Sequence, residues 1–176
     1  MPAPKLHADR EPDYVYVIYI AVPPQKIWDA LTDGKTERPW WAGTRQESSF
    51  KVGDPIVFHR NGKVDLRGEI LEREEPNRLV YTFHLEGPGP AHDEGPSIVT
   101  YEIKPAGGVT MLKVIHSNFP KGSLSRKGVE HGWPAIFSSL KTILESGATP
   151  KITDWGEEEF QAAQERQLRE HAARKQ

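Results

Sequence analysis

Val64-Asp65-Leu66-Arg67-Gly68-Glu69-Ile70-Leu71-Glu72, a turn at Glu75-Pro76-Asn77, and then Leu79-Val80-Tyr81-Thr82-Phe83-His84-Leu85-Glu86 is the stretch that decides the fold. In the first arm Val64, Leu66, Gly68 and Ile70 alternate with Asp65, Arg67 and Glu69. In the second, Leu79, Tyr81, Phe83 and Leu85 alternate with Val80, Thr82, His84 and Glu86. A period of two puts one set on each face of a strand. Two such arms joined by a Pro-Asn turn predict an antiparallel pair with one buried face. Parity decides which set is buried, because a slip of one residue exchanges the faces.

The same pattern extends both ways. Ile56-Val57-Phe58-His59 reads as a strand, and Asn61-Gly62 behind it is a hairpin turn. Val52-Gly53-Asp54 is turn-like, and residues 87–96, rich in Gly and Pro, predict a loop. Val99, Tyr101 and Ile103 mark another strand. Ala106-Gly107-Gly108 turns the chain into Thr110, Leu112, Val114 and His116, which alternate with Met111, Lys113 and Ile115. Nearer the N-terminus, Tyr14–Ile20 is β-branched and aromatic throughout and favours a strand. Pro23-Pro24 ends it and suits the first turn of a helix. Gln25–Thr32 then carries Ile27, Trp28 and Leu31 at helical spacing, and Lys35–Trp40 predicts a second short helix. Ser125–Ser146 is the longest helix: Trp133, Ile136, Phe137, Leu140, Ile143 and Leu144 form its apolar stripe, and Gly147 is its C-cap. Pro134 predicts a start or a kink there.

Bulk properties narrow the classes. The 176 residues suit one domain with extensions. There is no Cys, which excludes disulfides, thiol catalysis and a Cys-ligated zinc site. A net charge of −2 gives no electrostatic reason to expect nucleic acid or an anionic membrane as partner. Tyr14–Val22, the longest apolar-leaning run, is far too short to span a bilayer. The N-terminus has no apolar signal core, so the cytoplasm is the expected compartment. Hydrophobic content of 36% and mean hydropathy of −0.63 predict a modest core with polar ends. Residues 1–12 read as a flexible lead, 13–148 as the domain, and 149–176 as a polar helical extension.

The order strand, two short helices, a run of strands and a long helix resembles the SRPBCC (START-like, helix-grip) superfamily, in its AHSA-type branch. That branch is named for similarity to the activator of heat-shock protein 90 ATPase. The resemblance rests on residues 22–31, on Trp40-Trp41, and on Gly68–Glu72 followed by Pro76–Phe83. It rests also on Gly107–His116 and on Gly132-Trp133 followed by Leu140 and Leu144. It implies an α+β helix-grip fold, in which a curved antiparallel sheet of about six or seven strands wraps a long C-terminal helix. The segment from Lys151 onward lies outside it.

Such a sheet and helix can enclose an apolar cavity with a few polar anchors. Its expected lining is Val64, Leu66, Leu79, Tyr81, Phe83, Leu112, Val114 and His116 from the sheet, and Trp133, Phe137 and Leu140 from the helix. Trp40 and Trp41 stand at the mouth, either as ligand contacts or as structural caps. The aliphatic positions serve equally well as packed core. His116 is either a polar anchor or base, or a hydrogen-bonded structural histidine; Tyr81 and Tyr101 offer hydroxyls to the same space. No nucleotide, hydrolase or metalloprotease motif occurs, and the seven His residues are scattered, so no cofactor or metal is expected.

Three functions follow as expectations. The first is non-catalytic binding or transport of a hydrophobic or aromatic small molecule. The second, implied by the resemblance, is a chaperone-associated module. The third, also implied by it, is a cyclase- or hydrolase-like enzyme using His116. The tail adds a question of assembly. Asp154–Glu157 reads as a capping box, and Glu157–Lys175 as a marginal helix. Trp155, Phe160 and Leu168 either dock on the domain or on a second copy, or ride on a frayed, charged helix.

Overall fold

A computed structural model describes residues 4–152 and 157–174. Its strands are β1 (Tyr14–Ile20), β2 (Arg45–Glu47), β3 (Pro55–Arg60), β4 (Lys63–Glu74), β5 (Arg78–Leu85), β6 (Ser97–Ala106) and β7 (Val109–Ser117). They form one seven-stranded sheet in the order β1-β7-β6-β5-β4-β3-β2, and every neighbouring pair is antiparallel. β2 to β7 therefore follow one another as a meander. β1 alone crosses to the far side, where it pairs with the last strand, from Tyr14 opposite His116 to Ile20 opposite Thr110.

The turns behave as their residues require. Asn61 and Gly62 both take positive φ (51° and 73°), the geometry of a tight two-residue hairpin between β3 and β4. Two irregularities, at Phe58/His59 and at Ile70/Glu72, shift the register on either side of β4. The shift at Phe58/His59 lies beside Val64, which is only half-buried, whereas Leu66 and Ile70 are fully buried.

Helix α1 (Pro24–Thr32) opens on Pro at its first position and buries Ile27, Trp28 and Leu31. The second short helix expected at Lys35–Trp40 does not form. The Asp33 carboxylate accepts the Lys35 N–H (2.7 Å) and the Thr36 hydroxyl, and Pro39 holds Arg38 extended. Only a 3-10 turn at Pro39–Trp41 remains. The Gly- and Pro-rich loop at 87–96 contains one helical turn, α2 (Pro90–Asp93). β2 was not expected, because its inward residue is polar: Gln46 is 1% exposed and its amide donates to the Leu31 and Asp33 carbonyls.

Helix α3 (Leu124–Ser146) starts ten residues before Pro134 and continues through it. Ser123 caps it, its Oγ accepting the Arg126 N–H at 2.9 Å. Glu94 adds a second cap: its carboxylate accepts the Ser123 hydroxyl (2.7 Å) and the Leu124 N–H (2.6 Å). Gly147 ends the helix at φ 73°. The buried face of α3 (Trp133, Ile136, Phe137 and Leu140) joins the inner residues of β4 to β7 in one apolar cluster, with the Trp133 and Phe137 rings against Tyr101 of β6 and Phe137 against Tyr16 of β1. Residues 5–12 run beside the β7–α3 connection, with Glu11 N–H donating to the Phe119 carbonyl and His7 N–H to Asn118 Oδ1. Helix α4 (Glu157–Ala173) reaches the same connection through Gln167, whose amide donates to the Gly122 carbonyl at 3.1 Å. Residues 154–156 of the capping box, Trp155 among them, lie outside the described residues, as do the Glu157 and Phe160 side chains, and Leu168 is exposed. Among the described residues no helix is long and apolar enough to cross a membrane.

Candidate functional site

The inward parity of the central strands brings the expected lining residues together. Leu66, Leu79, Tyr81, Phe83, Leu112, Val114, His116, Trp133, Phe137 and Leu140 are all buried, with Trp40 and Trp41 beside them. The rings touch in sequence. Trp41 lies 5.2 Å from Phe58 and 5.4 Å from Trp133, and Trp133 lies 5.9 Å from Tyr101 and 5.3 Å from Phe137. These tilted and edge-on arrangements suit the aromatic quadrupole. Two surface depressions, of about 700 Å³ between α2 and α4 and about 560 Å³ beside α1, are lined by none of these residues.

His116 is fully buried and both ring nitrogens are engaged. Trp133 Nε1–H donates to Nδ1 at 3.1 Å. The neutral ring therefore carries its proton on Nε2 and donates to Ser97 Oγ at 2.7 Å, and Ser97 donates onward to the Phe83 carbonyl at 3.1 Å. Burial pulls the imidazole down to about 3, with the Arg126 charge a lesser cause. This chain of bonds ties β5, β6, β7 and α3 together and leaves no lone pair for a substrate proton. Among the described residues, no three His, Asp or Glu side chains converge as metal ligands.

The sequence reading missed the most unusual group. Arg38 is 2% exposed. The Arg38–Thr44 loop closes on itself: Arg38 N–H donates to the Thr44 carbonyl (2.7 Å) and Gly43 N–H returns to the Arg38 carbonyl (3.0 Å). Ala42, though not glycine, takes φ 48° to complete it. The guanidinium is thus turned into the interior, over Trp41 (4.6 Å), Phe58 (4.8 Å) and Trp40 (5.2 Å). Its terminal nitrogens donate to Gln46 Oε1 (3.0 Å) and Thr44 Oγ1 (2.9 Å), while its buried Nε–H has no acceptor. Burial lowers it to about 10, so it stays a cation at neutral pH. The one sequence signal was negative: an Arg in a short, polar predicted helix (Lys35–Trp40) looks like a solvated charge.

Tyr81 and Tyr101 share this interior. Their hydroxyls are 2.9 Å apart and bond to each other. Burial pushes both phenols upward, while the Arg38 charge acts on each in the opposite sense. Each phenol therefore keeps its proton at neutral pH.

A single open antiparallel sheet gripping one long helix, with an aromatic interior, defines a helix-grip α+β protein of the SRPBCC superfamily. Residues 21–145 match the family described as Activator of Hsp90 ATPase homolog 1-like protein, and the chain belongs to that family. Among solved structures it is similar to protein MLL2253 from Mesorhizobium loti, at 30% identity over 76% of this chain and 96% of that one, TM-score 0.67. It is similar in fold to the Aha1 dimer from Colwellia psychrerythraea (21% identity, 78% and 98% covered, TM-score 0.62). The same holds for PFC0360w, an HSP90 activator from Plasmodium falciparum (22%, 75% and 95%, TM-score 0.61). No curated protein matches.

Proposed function

We propose that this protein binds an apolar or aromatic small molecule, without covalent chemistry, between the inner face of its sheet and α3. The observation that carries this reading is the Tyr81–Tyr101 hydroxyl pair. A core that only needed filling would take phenylalanine at both positions, because a buried hydroxyl costs free energy unless satisfied. Here two O–H groups make a single bond between them, which leaves one donor for a third atom. Apolar walls with a few placed polar groups are the general form of a small-molecule site. In this reading a ligand enters by displacing the Pro39–Trp41 turn, which supplies two of the walls on a three-residue segment.

Native mass spectrometry and thermal unfolding against a panel of apolar and aromatic compounds test this. A ligand at a hundred times its Kd stabilises by about 2.7 kcal/mol, a rise of roughly 5–10 °C in Tm. A purified protein that carries no compound and whose Tm ignores the whole panel would end this reading.

A second reading, a chaperone-associated module, is favoured by the exposed apolar stripe of Val15, Val17 and Tyr19 on the outer face of edge strand β1. Two of the similar structures are described as Aha1 and as an HSP90 activator. It predicts that the purified protein stimulates the ATPase of heat-shock protein 90 and that Val17→Asp abolishes the effect. Absence of stimulation sinks it.

A further inference from the structure

Two hydrogen-bond donors in the interior lack acceptors: the Arg38 Nε–H and one hydroxyl hydrogen of the Tyr81–Tyr101 pair. Among the described residues no carboxylate pairs with Arg38, whose side-chain bonds go to two neutral oxygens. The Asp33 carboxylate accepts instead from the Lys35 N–H and the Thr36 hydroxyl. A cation removed from water without a counter-ion is costly, and ring faces offset only part of that cost. The two donors are linked through shared rings. Phe58 lies under the guanidinium at 4.8 Å and stacks on Tyr81 at 6.0 Å; Trp41 lies against the guanidinium at 4.6 Å and joins it through Trp133 to Tyr101.

Resting on the binding reading above, we infer that the ligand is an aromatic carboxylic acid. Its ionised carboxylate takes the Arg38 Nε–H and the spare tyrosine hydroxyl, and its ring takes a place beside Phe58 and Trp133 that Trp41, in contact with both, must yield. A carboxylate is planar and acceptor-only, so it matches a guanidinium edge and adds the missing negative charge. A neutral aromatic of the same shape fills the same walls but leaves the cation unpaired.

The test compares 2-naphthoic acid with 2-naphthamide, and indole-3-acetic acid with indole-3-acetamide, by calorimetry at pH 7.5. The full-length protein, Arg38→Met and Arg38→Lys are titrated, with the ¹⁵Nε–H resonance of Arg38 followed in the parent. The acids are expected to bind at least about tenfold tighter than their amides. That ratio falls to near one in Arg38→Met and persists in part in Arg38→Lys, and the Arg38 Nε–H signal moves downfield with acid only. Equal binding of acid and amide to the parent, or an unmoved Nε–H signal, overturns this inference and leaves the binding reading standing. Silence of all four compounds and of the broader panel removes both. The parent titration and its NMR signal decide the matter even if Arg38→Met does not fold.

Discussion

His116 in the folded protein takes up a proton only near pH 3, whereas in the unfolded chain it does so near 6.5. Between those values the unfolded state binds more protons, so stability is lost as pH falls from 6.5 toward 3 and is unaffected by this group above 6.5. The expected loss is about 1–2 kcal/mol at pH 5 relative to pH 7.5, measured by urea unfolding, and His116→Gln removes that part of the slope. Imidazole ¹⁵N shifts are expected to report a neutral ring, protonated on Nε2, from pH 8 to pH 5; a titration near 6.5 would contradict the bond network. At this scale the sequence marked His116 through its inward parity in β7. Which atoms satisfy it was not legible, because Ser97 and Trp133 lie on other elements, 19 and 17 residues away. Arg38 was not legible at all, since nothing local distinguishes a buried guanidinium from a solvated one.

The elements carry their own predictions. A Cβ on Gly68, in mid-β4, would overlap the Thr82 carbonyl and press on Ile56 Cγ2 at 3.2 Å. Backbone cannot give way as a flexible side chain can, so Gly68→Ala is expected to cost about 3 kcal/mol in urea unfolding. Gly68→Ala at unchanged stability would mean that β4 and β5 stand further apart. Ser123→Ala removes the α3 cap and a donor to Glu94, and is expected to cost about 1 kcal/mol while leaving the far-ultraviolet spectrum intact. Composition located β1 and β3, alternation located β4 to β7, and the apolar stripe located α3, the last two because each pattern is long enough for its period to be read. Local pattern failed for β2, whose three residues present a polar side chain inward, and for Lys35–Trp40, where an aspartate-capped turn outcompeted a helix.

At the scale of the whole molecule, α4 is held to the domain by little. Its described contacts with the domain include one side-chain bond, from Gln167 to the Gly122 carbonyl, and Leu168 faces solvent. A chain ending at Pro150 is expected to unfold within about 1 kcal/mol of the full chain, since exposed polar contacts contribute little. Light scattering is expected to give both chains the same assembly state. A larger loss, or a change in assembly on truncation, would show that the extension docks on the domain or on a second copy.

Local pattern determined every strand but β2, the long helix, and which faces of β4 to β7 and α3 point inward, because periodicity of two and of 3.6 is written along the chain and needs no partner to be read. The resemblance extended this to the helix-grip architecture. The tertiary structure alone decided that β1 pairs with β7, that Glu94 caps α3, that Arg38 turns inward to bond Gln46, and that the Tyr81 and Tyr101 hydroxyls bond each other. Those outcomes depend on groups far apart in sequence being brought within hydrogen-bond reach, and on water being excluded around them; a linear pattern encodes neither.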